Sequence, residues 1–172
     1  MESTMKSEDL RSLQAPLKEK YQKEPQAALI TLSAEGQLGE GISCSVQTGK
    51  ALVEAGLHSA TGGTGFQVCS GDMLLEALVA CAGVTLSAVA TAMDIAVQSG
   101  QIRAEGDLDF RGTLGVSKEV PIGFREIRLR IKLDTTASPD KIAKLIELTE
   151  RYCVVLQTLR APINVKTIVG DY

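Results

Sequence analysis

Residues 70–98 read SGDMLLEALVACAGVTLSAVATAMDIAVQ, and this stretch decides the fold. From Ala77 to Met93 it carries no charge, with Glu76 and Asp94 at the borders. Leu, Met and Ala favour helix and no proline interrupts them. Ser70 is the expected N-cap, with Asp72 in the first turn, where the helix dipole favours a carboxylate. Gly100 is the expected stop. A helix from Asp72 to Gln98 runs roughly 40 Å at 1.5 Å per residue, a length that invites a bend or break near Gly83. Apolar residues fall on every side of it, so the helix is expected to be buried all round.

A membrane span is the rival reading of the same run. The run is short for one. No Lys or Arg flanks it, and it is rich in Ala, Ser, Thr and Gly. Small residues at Ala77, Ala80, Gly83, Ser87 and Ala88 instead admit the close approach of another backbone. In a chain this short, the simplest partner is the same helix of a second subunit.

The other 143 or so positions bound the class. The chain has 172 residues, a net charge of −3 and a pI near 5.3, with no Trp. That length suits one domain with a sizeable core, and no basic cluster supports nucleic-acid binding. The polar N-terminus shows no signal peptide, so the expected location is the cytoplasm. In that compartment Cys44, Cys69, Cys81 and Cys153 are expected as thiols rather than structural disulfides. One histidine and no CxxC leave no metal site to expect, and no cofactor motif is present.

Taken in order, residues 1–26 form a polar arm and residues 27–172 one domain. The arm includes SEDLRSLQAPLKEKYQK, a short amphipathic helix broken at Pro16 and suited to lie across a partner. Ala27–Ala34 reads as a strand, Glu35-Gly36 as a turn and ISCSVQT as a second strand; Lys50–Leu57 fits helix or strand and is taken as the third strand of a meander. His58–Cys69 is a loop whose glycines fit neither phosphate-binding pattern. Beyond the long helix, Gln101–Leu114 alternates as a half-exposed strand. So does Pro121–Leu133, with Arg128, Arg130 and Lys132 on the solvated face. Ser138-Pro139 starts a helix whose inner face carries Ile142, Leu145, Ile146, Thr149 and, at its end, Cys153. Ile163–Val169 alternates and reads as the last strand.

Two segments in this order, SGDMLLEALVACAG and ERYCVVLQTL, with the glycine-rich GGTG before the first, resemble the OsmC/Ohr superfamily over about residues 27–170. The resemblance implies an α+β fold, the OsmC-like one, with antiparallel sheets wrapped around the long central helices of an intertwined homodimer and active sites at the interface. It also implies a thiol peroxidase acting on organic hydroperoxides, with Cys81 peroxidatic, Cys153 resolving, and an external dithiol as reductant. Cys81 would become a sulfenic acid and Cys153 would condense with it.

Members active in this way pair the cysteine with an arginine and an acid. The acid's counterpart is Asp72, nine residues before Cys81 and half a turn out of phase with it. It would act from a bent helix start or across the dimer, or else simply complement the dipole; Glu76 is a second acidic candidate. The arginine has no counterpart, because the only arginine before Cys81 is Arg11 in the arm. Lys50 and His58 are alternative cations. Cys44 and Cys69 read as structural, though Cys69 lies near enough to the helix start to rival Cys153. The alternative to an enzyme is an OsmC-like dimer without efficient peroxidase activity that binds a small hydrophobic ligand at its interface.

Overall fold

The structure is a computed structural model and describes residues 7–38, 44–46, 55–66 and 68–170. Helix α1 (Ser7–Lys23) opens the chain. Strands β1 (Leu29–Leu38), β2 (Cys44–Val46), β3 (Ala55–Gly56) and β4 (Val68–Cys69) lead to the long helix α2 (Ser70–Ala92). After it come β5 (Val97–Asp109), the short α3 (Phe110–Thr113), β6 (Glu126–Thr135), α4 (Pro139–Tyr152) and α5 (Val154–Arg160).

One antiparallel sheet of order β2-β1-β5-β6 forms the body, and β3 and β4 pair in parallel apart from it. The middle strand β5 shows how the sequence builds this layer. Ile102, Ala104 and Leu108 are buried and Gly106 continues that face. Arg103, Glu105 and Asp107 alternate with them, and side chains on a strand alternate between faces. On the outer face β6 places its arginines against those carboxylates: Arg128 bonds Asp107 at 2.6 and 2.9 Å, and Arg130 bonds Glu105 at 3.1 Å. The basic stripe of β6 is thus a cross-strand ladder.

Helix α2 lies against β1 and β5 and also meets α4 and α5. Leu75, Leu78, Val79 and Ala82 join Ile102, Ala104, Leu108 and Phe110 in the main core. Farther along, Leu86 and Ala90 join Ile95 and Leu145 in a second cluster. The opposite face of α2 is left open by the described residues: Met73, Leu74 and Val84 are exposed. The expected burial on every side is therefore met on one side only. By length and composition α2 could cross a bilayer, but less than half of its apolar window (44%) is buried within the chain.

Several expected boundaries move. Helix α2 is one continuous element and stops at Ala92, not near Gly100. Asp94 takes the left-handed conformation at φ 51°, Ile95 N–H bonds Ala90 C=O at 2.9 Å, and Asp94 N–H bonds Thr91 C=O at 3.2 Å. That is the Schellman pattern, with aspartate where glycine is usual and Ile95 packed beside Ala90 and Val89. The N-cap is Cys69, so Ser70 is the first helical residue.

Pro16 lies inside α1 and does not break it; the carbonyl it deprives of a partner belongs to exposed Ser12, where water can serve. Glu35-Gly36 is no turn, because Gly36 is paired on both sides, with Ile102 of β5 and Val46 of β2. The third strand of the expected meander is Ala55–Gly56, and it pairs with β4 rather than with the meander; most of Lys50–Leu57 lies outside the described residues. The strand read over Gln101–Leu114 begins earlier and ends at Asp109, whose carboxylate accepts from Arg111 N–H at 3.1 Å and caps α3. The last expected strand, Ile163–Val169, has no regular secondary structure, and its side chains are exposed. Alternation describes two faces, not a partner, and no described strand pairs with it.

The N-terminal helix lies on its own chain. Tyr21 is buried and donates its hydroxyl to Ala60 C=O at 2.7 Å, and Gln14 donates to Thr61 C=O at 3.3 Å.

Candidate functional site

Cys81 lies halfway along α2, on a half-buried flank beside the core. Cys153 lies between α4 and α5, wholly buried. Its backbone has φ −71° and ψ 105°, which ends α4 and caps α5 at once. The amphipathic face of α4 carries it there: Leu145 is buried beside Leu86 and Ala90 of α2, Thr149 is buried one turn on, and Cys153 follows on the same stripe. Among the described residues Cys69, Cys81 and Cys153 are all free thiols.

The two thiols meet. Cys81 and Cys153 lie close enough for each to act on the ionisation of the other, and the break in the helix brings the backbone N–H groups of Val154 and Val155 near the Cys81 sulfur. Burial pushes the Cys81 thiol up. The Val155 N–H, the Cys153 thiol, the Thr85 hydroxyl and the Val154 N–H oppose it and leave it below its ordinary value. Cys153 goes the other way. Burial, reinforced by the charge that Cys81 would carry, pushes it up to about 11, against the Leu156 N–H. The thiolate is the nucleophilic form of cysteine, so the pair is divided into one thiol that ionises more readily than an ordinary cysteine and one that ionises less readily.

Asp72 is elsewhere. Within a continuous α2, nine residues at 100° each carry it to the side of the helix away from Cys81. Its neighbours are His58 and Glu76: burial raises Asp72 and the His58 charge partly offsets this, while Glu76 is raised by burial and then by Asp72. His58 accepts the Ala60 N–H on Nδ1 at 3.0 Å and stacks on Phe110 at 5.0 Å. It belongs with Asp72 and not with the groups that act on the Cys81 sulfur. Lys50 lies outside the described residues, as do the side chains of Arg11 and Cys44.

Cys69 also stands apart. It lines a cavity of about 370 Å³ at the start of α2, with His58, Leu74, Phe110, Ile122 and Phe124. Phe124 comes this close because Gly106 has no side chain; a Cβ there would meet the ring at 2.5 Å. Neither Cys81 nor Cys153 lines this cavity. No group of residues suited to hold a metal ion occurs among the described residues.

Sequence reading missed three donors on the Cys81 sulfur. Backbone N–H groups leave no mark in composition, so those of Val154 and Val155 were invisible without α5. Thr85 had a signal, its place four residues after Cys81 on one helix face.

Comparison with known proteins agrees with this architecture. The chain is similar in structure to an OsmC-like hydroperoxide resistance protein from Jannaschia sp. CCS1, with a TM-score of 0.59 at 17% identity over 84% of this chain and 97% of that one. It is also similar to an OsmC-like protein from Mycoplasma pneumoniae, with a TM-score of 0.53 at 19% identity over 77% of this chain and 85% of that one. No curated protein matches the sequence. The family model for OsmC-like proteins matches residues 62–168, which include both meeting cysteines. On that match, the chain belongs to the family of OsmC-like proteins.

Proposed function

We propose that this protein is a thiol-dependent peroxidase that reduces organic hydroperoxides, with Cys81 as the attacking thiolate and Cys153 as the resolving thiol. The observation that carries the reading is the contact of two thiols whose ionisations are driven apart, Cys81 down and Cys153 up to about 11. The hydroperoxide resistance named for the Jannaschia relative points the same way.

The Cys81 thiolate attacks the terminal oxygen of the hydroperoxide. The O–O bond breaks, the alkoxide leaves and takes up a proton as the alcohol, and Cys81 holds a sulfenic acid. Cys153 then bonds to that sulfur, and the sulfenic oxygen leaves as water. An external dithiol reduces the resulting disulfide by exchange. Exposed Val84, Tyr152 and Val154 beside the pair offer apolar contacts to an alkyl substituent.

The reading includes a homodimer. The apolar face of α2 that the described residues leave open supports it, since a second copy would bury Met73, Leu74 and Val84. A partner subunit is also the route by which Asp72 would reach a Cys81. The setting proposed is the cytoplasm, where an external dithiol is available and free thiols persist, with no role for membrane or nucleic acid.

The test is to treat the reduced protein with one equivalent of cumene hydroperoxide and map disulfides by mass spectrometry. The expected result is a Cys81–Cys153 bridge with loss of the peroxide, and no loss of peroxide by Cys81→Ser. Thiols that persist in the presence of intact peroxide would overturn the assignment. One observation favours a second reading, that of a binder of small hydrophobic ligands: the apolar cavity at the start of α2 contains neither thiol of the pair. Persistent thiols would favour it.

A further inference from the structure

Cys81 and Thr85 stand four residues apart on α2, one turn after the other on the same face, and both are half-buried. A helical threonine has two kinds of partner within reach of its hydroxyl, the carbonyl four residues back and the side chain there. Thr91 and Thr149 take the carbonyl, donating to Ser87 C=O at 2.9 Å and Leu145 C=O at 2.8 Å. Among the described residues Thr85 has no such carbonyl bond; its hydroxyl stands one turn from the Cys81 sulfur and favours the thiolate there. Its β-branched side chain is stiff at χ1, so the donor is held where the turn of the helix sets it.

The other groups on that sulfur are the N–H groups of Val154 and Val155 and the thiol of Cys153, the titratable group that faces it. All are neutral donors. Cys153 gives up its proton when it forms a disulfide, so among the described residues Thr85 is the one side-chain donor at that sulfur left chemically unchanged through a turnover cycle.

We propose that Thr85 is a positioning residue that holds the Cys81 thiolate by an O–H···S bond and so shares with backbone amides the work of a cation. This deepens the proposed function, resting on Cys81 as the attacking thiol, but its test needs no peroxide. Reduced full-length protein is labelled with iodoacetamide across a pH series, and the Cys81 peptide is read by mass spectrometry. Thr85→Val keeps the shape and removes the donor. A hydrogen bond to a charged group is worth enough to move the midpoint up by about one pH unit, a tenfold loss of thiolate below it. Thr85→Ser restores the donor, and its midpoint is expected within a few tenths of a unit of the parent.

A Thr85→Val midpoint equal to the parent's overturns the proposal, and so does a Thr85→Ser midpoint shifted as far as that of Thr85→Val. Should Thr85→Val fail to fold, Thr85→Ala removes the same donor with a smaller side chain, and the same two outcomes decide. A shifted midpoint in a protein that leaves cumene hydroperoxide intact would sink the peroxidase and leave the role of Thr85 standing.

Discussion

Replacing Leu145 by alanine tests whether the packing of α4 on α2 is what delivers Cys153 to Cys81. Leu145 is wholly buried and touches the cluster of Leu86, Ala90 and Ile95, with Ile131 and Leu133 beyond. The change deletes three buried carbons. At about 0.8 kcal/mol per buried methylene, the transfer cost alone is about 2.4 kcal/mol. The unfilled cavity adds to it, and measured Leu→Ala losses in cores run from about 2.7 to 5 kcal/mol. The expected loss is therefore about 3 kcal/mol, because the site lies between three elements that cannot all close on the gap. Urea unfolding of the reduced protein, followed by circular dichroism, reads it as a fall in midpoint of about 1–2 M. A loosened α4 also exposes Cys153, so its alkylation at pH 8 is expected to accelerate. Val154→Ala is the control: that side chain is 70% exposed, and the change is expected to stay within about 0.5 kcal/mol. A loss below about 1 kcal/mol for Leu145→Ala, with no change at Cys153, would refute the packing argument.

Three further outcomes follow from the scaffold. The Arg128 guanidinium and then the Thr31 hydroxyl hold the Asp107 carboxyl at about 2. A carboxyl depressed on folding contributes stability that is present above its unfolded value of 3.8 and is lost as pH falls toward 2. Arg128→Gln should therefore flatten stability against pH in that range. The effect should be modest because the pair lies on the open face of the sheet. Asp94→Gly places the residue most suited to φ 51° at the end of α2 and is expected to raise stability by about 0.5–1 kcal/mol, read as a rise in Tm of about 1–4 °C. Gly63→Ala should cost more than about 2 kcal/mol by the same measurement, since its Cβ would collide with the Leu57 carbonyl, a backbone atom that cannot swing aside.

Where one local rule decided the structure, it could be read from the residues. The uncharged run of α2, the alternation of β6 and the Ser138-Pro139 start of α4 each need only neighbours in sequence to be understood. The stop of α2 was misread because the position that glycine usually fills is taken by Asp94, while Gly100 lies within β5. Glu35-Gly36 has the composition of a turn, but pairing on both flanks holds it in β1. Helix α5 was not foreseen. Its first residues, Val154 and Val155, are β-branched, and its seven positions are too few to show a period.

The candidate site divides in the same way. Cys81 and Cys153 were legible as a pair through the resemblance, and the inward stripe of α4 gave Cys153 its direction. What lies around the sulfur was not, because it is supplied by two backbone amides that exist only once α5 has formed. Asp72 shows the reverse limit. The helical period places it out of phase with Cys81, yet period alone does not say that its neighbours are His58 and Glu76.

The two meeting thiols are far apart along the chain, and this ties the redox state to the stability of the fold. A bond between Cys81 and Cys153 would close a loop of roughly 70 residues holding β5, β6 and α4. In the chain-entropy account such a closure removes about 4 kcal/mol worth of freedom from the unfolded ensemble. The oxidised protein would resist unfolding more than the reduced one, and by linkage the folded protein would hold its disulfide more firmly than the unfolded chain. A reductant serving this pair must therefore work against the fold as well as against the sulfur–sulfur bond.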